Sequence, residues 1–229
     1  LFLRSIDVEH RWFKYHSIFS DYLAAQLART EPHIVRDLHA TAAHWFRDHG
    51  YQEDAIYHSI EAGKPELAAE ILADWIPDLV RTARLRAVER LAKMVPRQAF
   101  EKHPMLLWGH TWALLFLNQP EPAHQSLMEF EQSLQKAGSH PDMVTSLLVL
   151  KCAEALITDQ SYCNFPWLDS LAIETGDMAK HRCFEMNALA NAKAISRLEK
   201  GLFTEAKEFA LLGESLAARG EAACRGAYS

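Results

Sequence analysis

A helix-breaking residue followed five positions later by alanine recurs along the chain: Gly50 to Ala55, Gly63 to Ala68, Asn118 to Ala123 and Gly201 to Ala206. Glycine and asparagine tolerate the left-handed conformation that ends a helix. Asp54, Glu66, Glu121 and Glu205 stand one or two places ahead of each alanine. Carboxylates there favour the first turn of a new helix, where the helix dipole is positive. Alanine has no side chain beyond Cβ, so a second helix can approach closely at that point. Each copy lies between apolar residues at helical spacing, and such units bury their apolar faces by stacking. The pattern therefore predicts an all-α fold, an α-α superhelix or tetratricopeptide-like solenoid.

Composition agrees. The chain has 229 residues, 49% of them hydrophobic, which is enough for a substantial core. Its nine glycines and nine prolines sit mostly between periodic segments. A net charge of -6 argues against a nucleic-acid surface, which needs clustered Lys and Arg. Cys152, Cys163, Cys183 and Cys224 show no CxxC spacing, so they read as buried thiols rather than a zinc or redox site. The densest apolar run, 147–157, is short and interrupted by Lys151 and Glu154, so no membrane span is expected. A cytoplasmic location follows as the expectation. The start at Leu1, inside an apolar stretch, suggests a piece of a longer protein.

The first thirty residues depart from the repeat. Segments 1–6 and 11–16 are rich in β-formers and joined by a polar turn, a hairpin signal. Ser17 is placed to cap a helix that packs through Ile18, Phe19, Tyr22, Leu23 and Leu27, and Pro32 suits the first turn of the next. Two domains are expected: 1–30, a hairpin plus helix, and 31–229, the helical array. Periodic segments within the array run 32–49, 51–62, 64–80, 82–95, 103–118, 121–137, 141–158, 165–175, 178–200 and 202–219. The strides at Gly50 and Gly63 leave room for one shared helix, so the array is not a regular tetratricopeptide run. Trp45, Trp75, Leu91 and Phe130 read as packing residues.

The string from Arg11 to Leu23, RWFKYHSIFSDYL, resembles the end of the winged-helix region in ATP-dependent LuxR-type, maltose-activator-like transcription regulators. The helices 38–46, 50–63 and 65–72 resemble those that follow it in that family. The resemblance is specific over about Leu1 to Ala73 and implies a non-catalytic regulatory segment. It also implies ATP bound by a phosphate loop upstream, DNA read by a helix-turn-helix downstream, and self-association of the full-length protein. This chain contains no GxxxxGK[ST], so no cofactor is expected within it. The expected partner is a small-molecule inducer or a regulatory protein, with no nucleic acid or membrane bound. A tetratricopeptide-type interaction scaffold unrelated to transcription is the alternative.

In a helical-repeat solenoid the first helix of each pair lines the concave face. Aligning the stride alanines places Met105, Trp108, Trp112 and Phe116 there, with His44 and Arg47 on the first pair and Asn191 on the last. Trp108 and Trp112 lie four apart on one side of a helix. They form either a flat stacking surface for a ligand or packing between helices. Nothing points to catalysis: GxSxG, HExxH and a Cys with an evident His partner are all absent. His39, His44 and His49 are spaced by five, a rotation of about 140° on a helix, so they do not converge on a metal.

Overall fold

In a computed structural model the protein is all-α and helical-repeat-like, preceded by a short hairpin. The structure describes residues 2–5, 7–137, 141–160 and 165–221. Residues Leu1–Lys64 form one compact unit and Pro65–Ser229 a second.

In the first unit, β1 (Leu3–Ser5) pairs antiparallel with β2 (Phe13–Tyr15), with Leu3 opposite Tyr15 and Ser5 opposite Phe13. Asp7 closes the turn by accepting from the backbone N–H groups of Trp12 at 2.8 Å and Arg11 at 3.1 Å. Those bonds, Trp12's foremost, hold its carboxyl below the usual range. Then come α1 (Ser17–Thr30), α2 (Pro32–Asp48) and α3 (Gln52–Glu61). Phe19 of α1 stacks on Phe2 at 4.6 Å and meets the Tyr15 edge at 5.6 Å, which ties hairpin to helix.

Three expectations fail in this unit. Ser17 is the first helical residue and makes no side-chain cap bond. Ile18, Tyr22 and Leu23 are exposed, and α1, which packs on α2, has no buried residue. Trp45 is also 44% exposed, although it was expected to pack.

The second unit contains α4 (Pro65–Arg81), α5 (Leu85–Met94), α6 (Arg97–Lys102), α7 (Pro104–Phe116), α8 (Pro120–Ala137) and α9 (Pro141–Ile157). A 3-10 turn at Pro166–Ser170 leads to α10 (Lys180–Glu199) and α11 (Phe203–Arg219). Segment 165–175 is thus no α-helix. Pro166 opens the 3-10 turn, which ends at Leu171 in extended backbone. Helix α7 packs against α4, α5, α6, α8 and α9, while α10 packs on α11, α9 and α4. Where α7 crosses α4, a Cβ on Gly109 would lie 2.4 Å from Ile76 Cγ1. The guanidinium of Arg81 at the end of α4 donates to the carbonyls of Gly220 and Glu221 just past α11, at 3.1 and 3.0 Å. A cation there also suits the negative end of α11.

The stride holds in detail. Gly50, Gly63, Asn118 and Gly201 have φ of +80°, +71°, +56° and +73°. Ala55, Ala68, Ala123 and Ala206 are all buried. At each turn one N–H reaches back three residues and the next reaches back five, as in Gly50 N–H to Arg47 O and Tyr51 N–H to Phe46 O. The same turn recurs at Ala83 and Asp159, both at φ +56°. Five places after Ala83, Val88 occupies the buried position that alanine fills elsewhere.

Ala83 holds a left-handed conformation against its own Cβ and is exposed. Ala83→Gly is therefore expected to raise stability by about 1 kcal/mol in denaturant unfolding. Gly109→Ala is expected to lower it by about 1–3 kcal/mol, because the added methyl has no space against Ile76.

Candidate functional site

Helix α7 is apolar on every side, and nine of its thirteen residues are buried. Trp108 and Trp112 are only 1% and 2% exposed, so the pair makes no open stacking surface. Spacing placed them correctly on one side of α7, but α10 covers that side. The Trp108 Nε1–H donates to Glu185 Oε1 at 2.7 Å, and Glu185 also accepts from Arg182 at 3.0 Å. Arg182 in turn pairs with Glu174. Burial disfavours the Arg182 charge, yet bonds from Glu174 and Glu185 hold its pKa above the usual value. This linked set gives Trp108 a structural role. Met105 is half-buried and lies with Trp108, Arg182 and Glu185 around a hollow of about 280 Å³.

Trp112 is different. Its ring stacks on Phe116 at 5.4 Å and meets Phe184 edge-on at 5.0 Å, but its Nε1–H has no hydrogen-bond partner. A buried N–H left alone costs about 1–3 kcal/mol. The indole lines a hollow of about 250 Å³ between α7, α9 and α10, together with Phe116, Cys152, Leu156, Phe184, Asn187, Ala188 and Asn191. Every lining residue is uncharged. Burial pushes the Cys152 thiol up to about 12, so it too stays neutral.

Asn187, Asn191 and Ile195 form a wall shared with a second hollow, of about 730 Å³, between α10 and α11. Asn191 Nδ2 donates to Asn187 Oδ1 at 3.2 Å. Gly213 of α11 lies against both amides, where a Cβ would sit 3.0 and 3.1 Å from their oxygens. Lys207 and Glu214 charge the outer part of this larger space, and Ala210 faces it.

Of the residues singled out from the sequence, Trp112, Phe116 and Asn191 share one hollow, while Met105 and Trp108 flank another. His44 and Arg47 are exposed on α2 in the first unit, Arg47 beside Asp48 at 3.5 Å. Asn187, Cys152 and Phe184 escaped notice. Asn187 and Asn191, four apart in an otherwise apolar stretch of α10, were the available signal. Cys152 and Cys183 are buried, and Cys163 and Cys224 lie outside the described residues. Among the described residues no group of three His, Cys, Asp or Glu is placed to hold a metal, and no helix is long and apolar enough to cross a membrane. His39 instead meets His58 across α2 and α3, Nδ1 to Nδ1, at 2.8 Å.

Residues 1–35 match the family model described as the MalT winged helix domain. The chain thus carries at its N-terminus a segment of a transcription-regulator-like protein, in the stretch where the LuxR-type resemblance was drawn. Among curated proteins it is similar to serine/threonine-protein kinase PknK of Mycobacterium tuberculosis and of Mycobacterium bovis, at 27% identity over 164 residues. That stretch is 70% of this chain and 15% of the kinase, so the chain spans only a small part of these relatives. No solved structure gives a significant match.

Trp112→Ala is expected to cost roughly 3–5 kcal/mol in chemical denaturation, the range for emptying a buried aromatic site. An exposed indole would have cost little. On the opposite side of α7, burial pushes the His110 imidazole down to about 4, with Arg97 adding to the effect. The unfolded chain takes up that proton near 6.5, so His110 favours the fold fully above that pH. As pH falls from 6.5 to about 4, roughly 3 kcal/mol of stability should be lost from this group. His110→Gln should flatten that part of the stability profile.

Proposed function

We propose that the chain is a non-catalytic, effector-binding regulatory segment of an ATP-dependent LuxR-type transcription regulator. The observation that carries this reading is the uncharged, largely apolar hollow between α7, α9 and α10, with the Asn187 and Asn191 amides in its wall. It occurs in a chain whose first 35 residues match a transcription activator's winged-helix domain. Small-molecule sites combine apolar walls with a few placed polar groups in this way. In this reading an inducer or regulatory protein shifts the full-length protein between resting and self-associated states by binding one better than the other. ATP is held by another part of that protein, DNA is read elsewhere, and the whole is cytoplasmic. The stretch shared with PknK then serves regulation rather than phosphoryl transfer, and the sequence has no HRD or DFG string.

A second reading, a tetratricopeptide-type interaction scaffold unrelated to transcription, is favoured by an exposed aromatic cluster in the first unit. Trp12 packs edge-on against Trp45 at 5.9 Å and Tyr51 at 5.4 Å, and the three are 36%, 44% and 43% exposed. Thermal-shift screening of the chain against a metabolite library separates the two readings. An effector segment should show a melting-temperature rise with a small molecule, abolished by Ala188→Leu, which fills the hollow. Binding only to peptides, lost on Trp45→Ala and indifferent to Ala188→Leu, would favour the scaffold.

A further inference from the structure

We propose that the exposed face of α11 is a self-pairing surface, on which α11 of a second copy of this chain lies antiparallel across a two-fold axis. The proposal stands on this surface alone and does not draw on the effector reading.

Six residues of α11 that line the hollow of about 730 Å³ are exposed: Phe203, Lys207, Ala210, Leu211, Glu214 and Ala218. Their steps of four, three, one, three and four residues keep them on one stripe, about 100° wide. The stripe is apolar apart from Lys207 and Glu214, and its Phe203 and Leu211 are 71% and 56% exposed. Leu198 of α10, also more than half exposed, continues it across the groove. Contiguous exposed apolar surface of this kind marks an interaction site.

The order of the steps says what fits. It reads the same from either end, with its midpoint between Ala210 and Leu211. When a second α11 is turned end over end about that midpoint, every residue of the stripe meets an unlike one. The large Phe203 meets the small Ala218, Leu211 meets Ala210, and Lys207 meets Glu214, each pairing occurring twice. An interface between identical copies needs this self-complementarity. Ala210, next to the axis, lets the two backbones approach closely.

Charge fixes the orientation. Lys207 and Glu214 stand about 10 Å apart along the helix, and among the described residues neither is drawn into an ion pair. Arg197 nearby is by contrast already held by Asp169 and Glu205. Antiparallel pairing gives each of the two free charges an opposite partner. Parallel pairing in register would set Lys207 against Lys207 and Glu214 against Glu214, which repel.

The test is sedimentation equilibrium of the chain, with Lys207→Glu and Glu214→Lys as charge reversals. The average mass of the parent chain is expected to rise from one chain toward two between about 1 and 300 μM. Either reversal alone replaces two opposite-charge pairs by two like-charge pairs and should weaken the dimer about tenfold. An equimolar mixture of the two variants restores both opposite-charge pairs, so a heterodimer of parental affinity should form. Both reversals sit on exposed positions and suit the helix dipole, so each variant should keep the parental melting temperature. A parent chain that stays monomeric over this range overturns the proposal, whether or not a synthetic amphipathic helix then binds the groove. A dimer indifferent to both reversals overturns it too, since the copies then meet elsewhere. So does a mixture that associates no better than either variant alone, because only the antiparallel register predicts rescue by mixing.

Discussion

The second unit depends on α7 being buried on every side. A helix with no solvated face survives only when its neighbours cover it fully. Here α4, α5, α6, α8 and α9 surround it, and Glu185 of α10 takes the N–H of Trp108. Close approach at Gly109 lets α4 reach the α7 backbone, and Ile76 fills the space that a side chain would occupy. Arg182, held by Glu185 and Glu174, balances the buried Glu185 carboxylate, which ties α10 to α7 through Trp108. The hollow beneath Trp112 is thus bounded by helices with little freedom to collapse into it.

The two indoles differ in how they are held. Both lie on the same side of α7 and both are buried, yet one N–H is bonded and the other is not. One helical turn along α10, the acidic Glu185 gives way to Ala188 and the amides Asn187 and Asn191, with no acceptor reaching Trp112. A buried donor left unpaired works against the fold, and the cost is tolerable because the Trp108–Glu185–Arg182 set secures the same pair of helices.

Much of the architecture was legible in the sequence, for a local reason. The stride encodes a backbone angle and a close packing contact a few residues apart, and neither depends on distant parts of the chain. Where φ is positive without Gly or Asn, at Ala83 and Asp159, the composition signal vanishes although the turn is the same. The short α6, wedged between α5 and α7, was missed because six residues carry too little periodicity. Segment 165–175 misled in the opposite direction, since its apolar residues contact neighbours from a 3-10 turn and extended backbone. For the site, four-residue spacing identified one side of α7 correctly. What covers that side is a long-range fact, set by α10 some seventy residues later, and so the exposure of the indoles was not legible. The α1 residues show the converse: amphipathic spacing was present, but the unit supplies no second layer to bury them.

A ligand under Trp112 would touch α7, α9 and α10 at once, which gives the hollow a physical route to regulation. Its wall at Asn187 and Asn191 is also the surface on which α11 rests through Gly213. An occupant that turns either amide would alter the α10–α11 packing at Gly213, where a Cβ would lie only 3.0 and 3.1 Å from the two oxygens. Binding energy can then bias the α10–α11 pairing rather than only fill space. The bias is bounded by the difference in affinity between the two arrangements, about 1.4 kcal/mol for each tenfold.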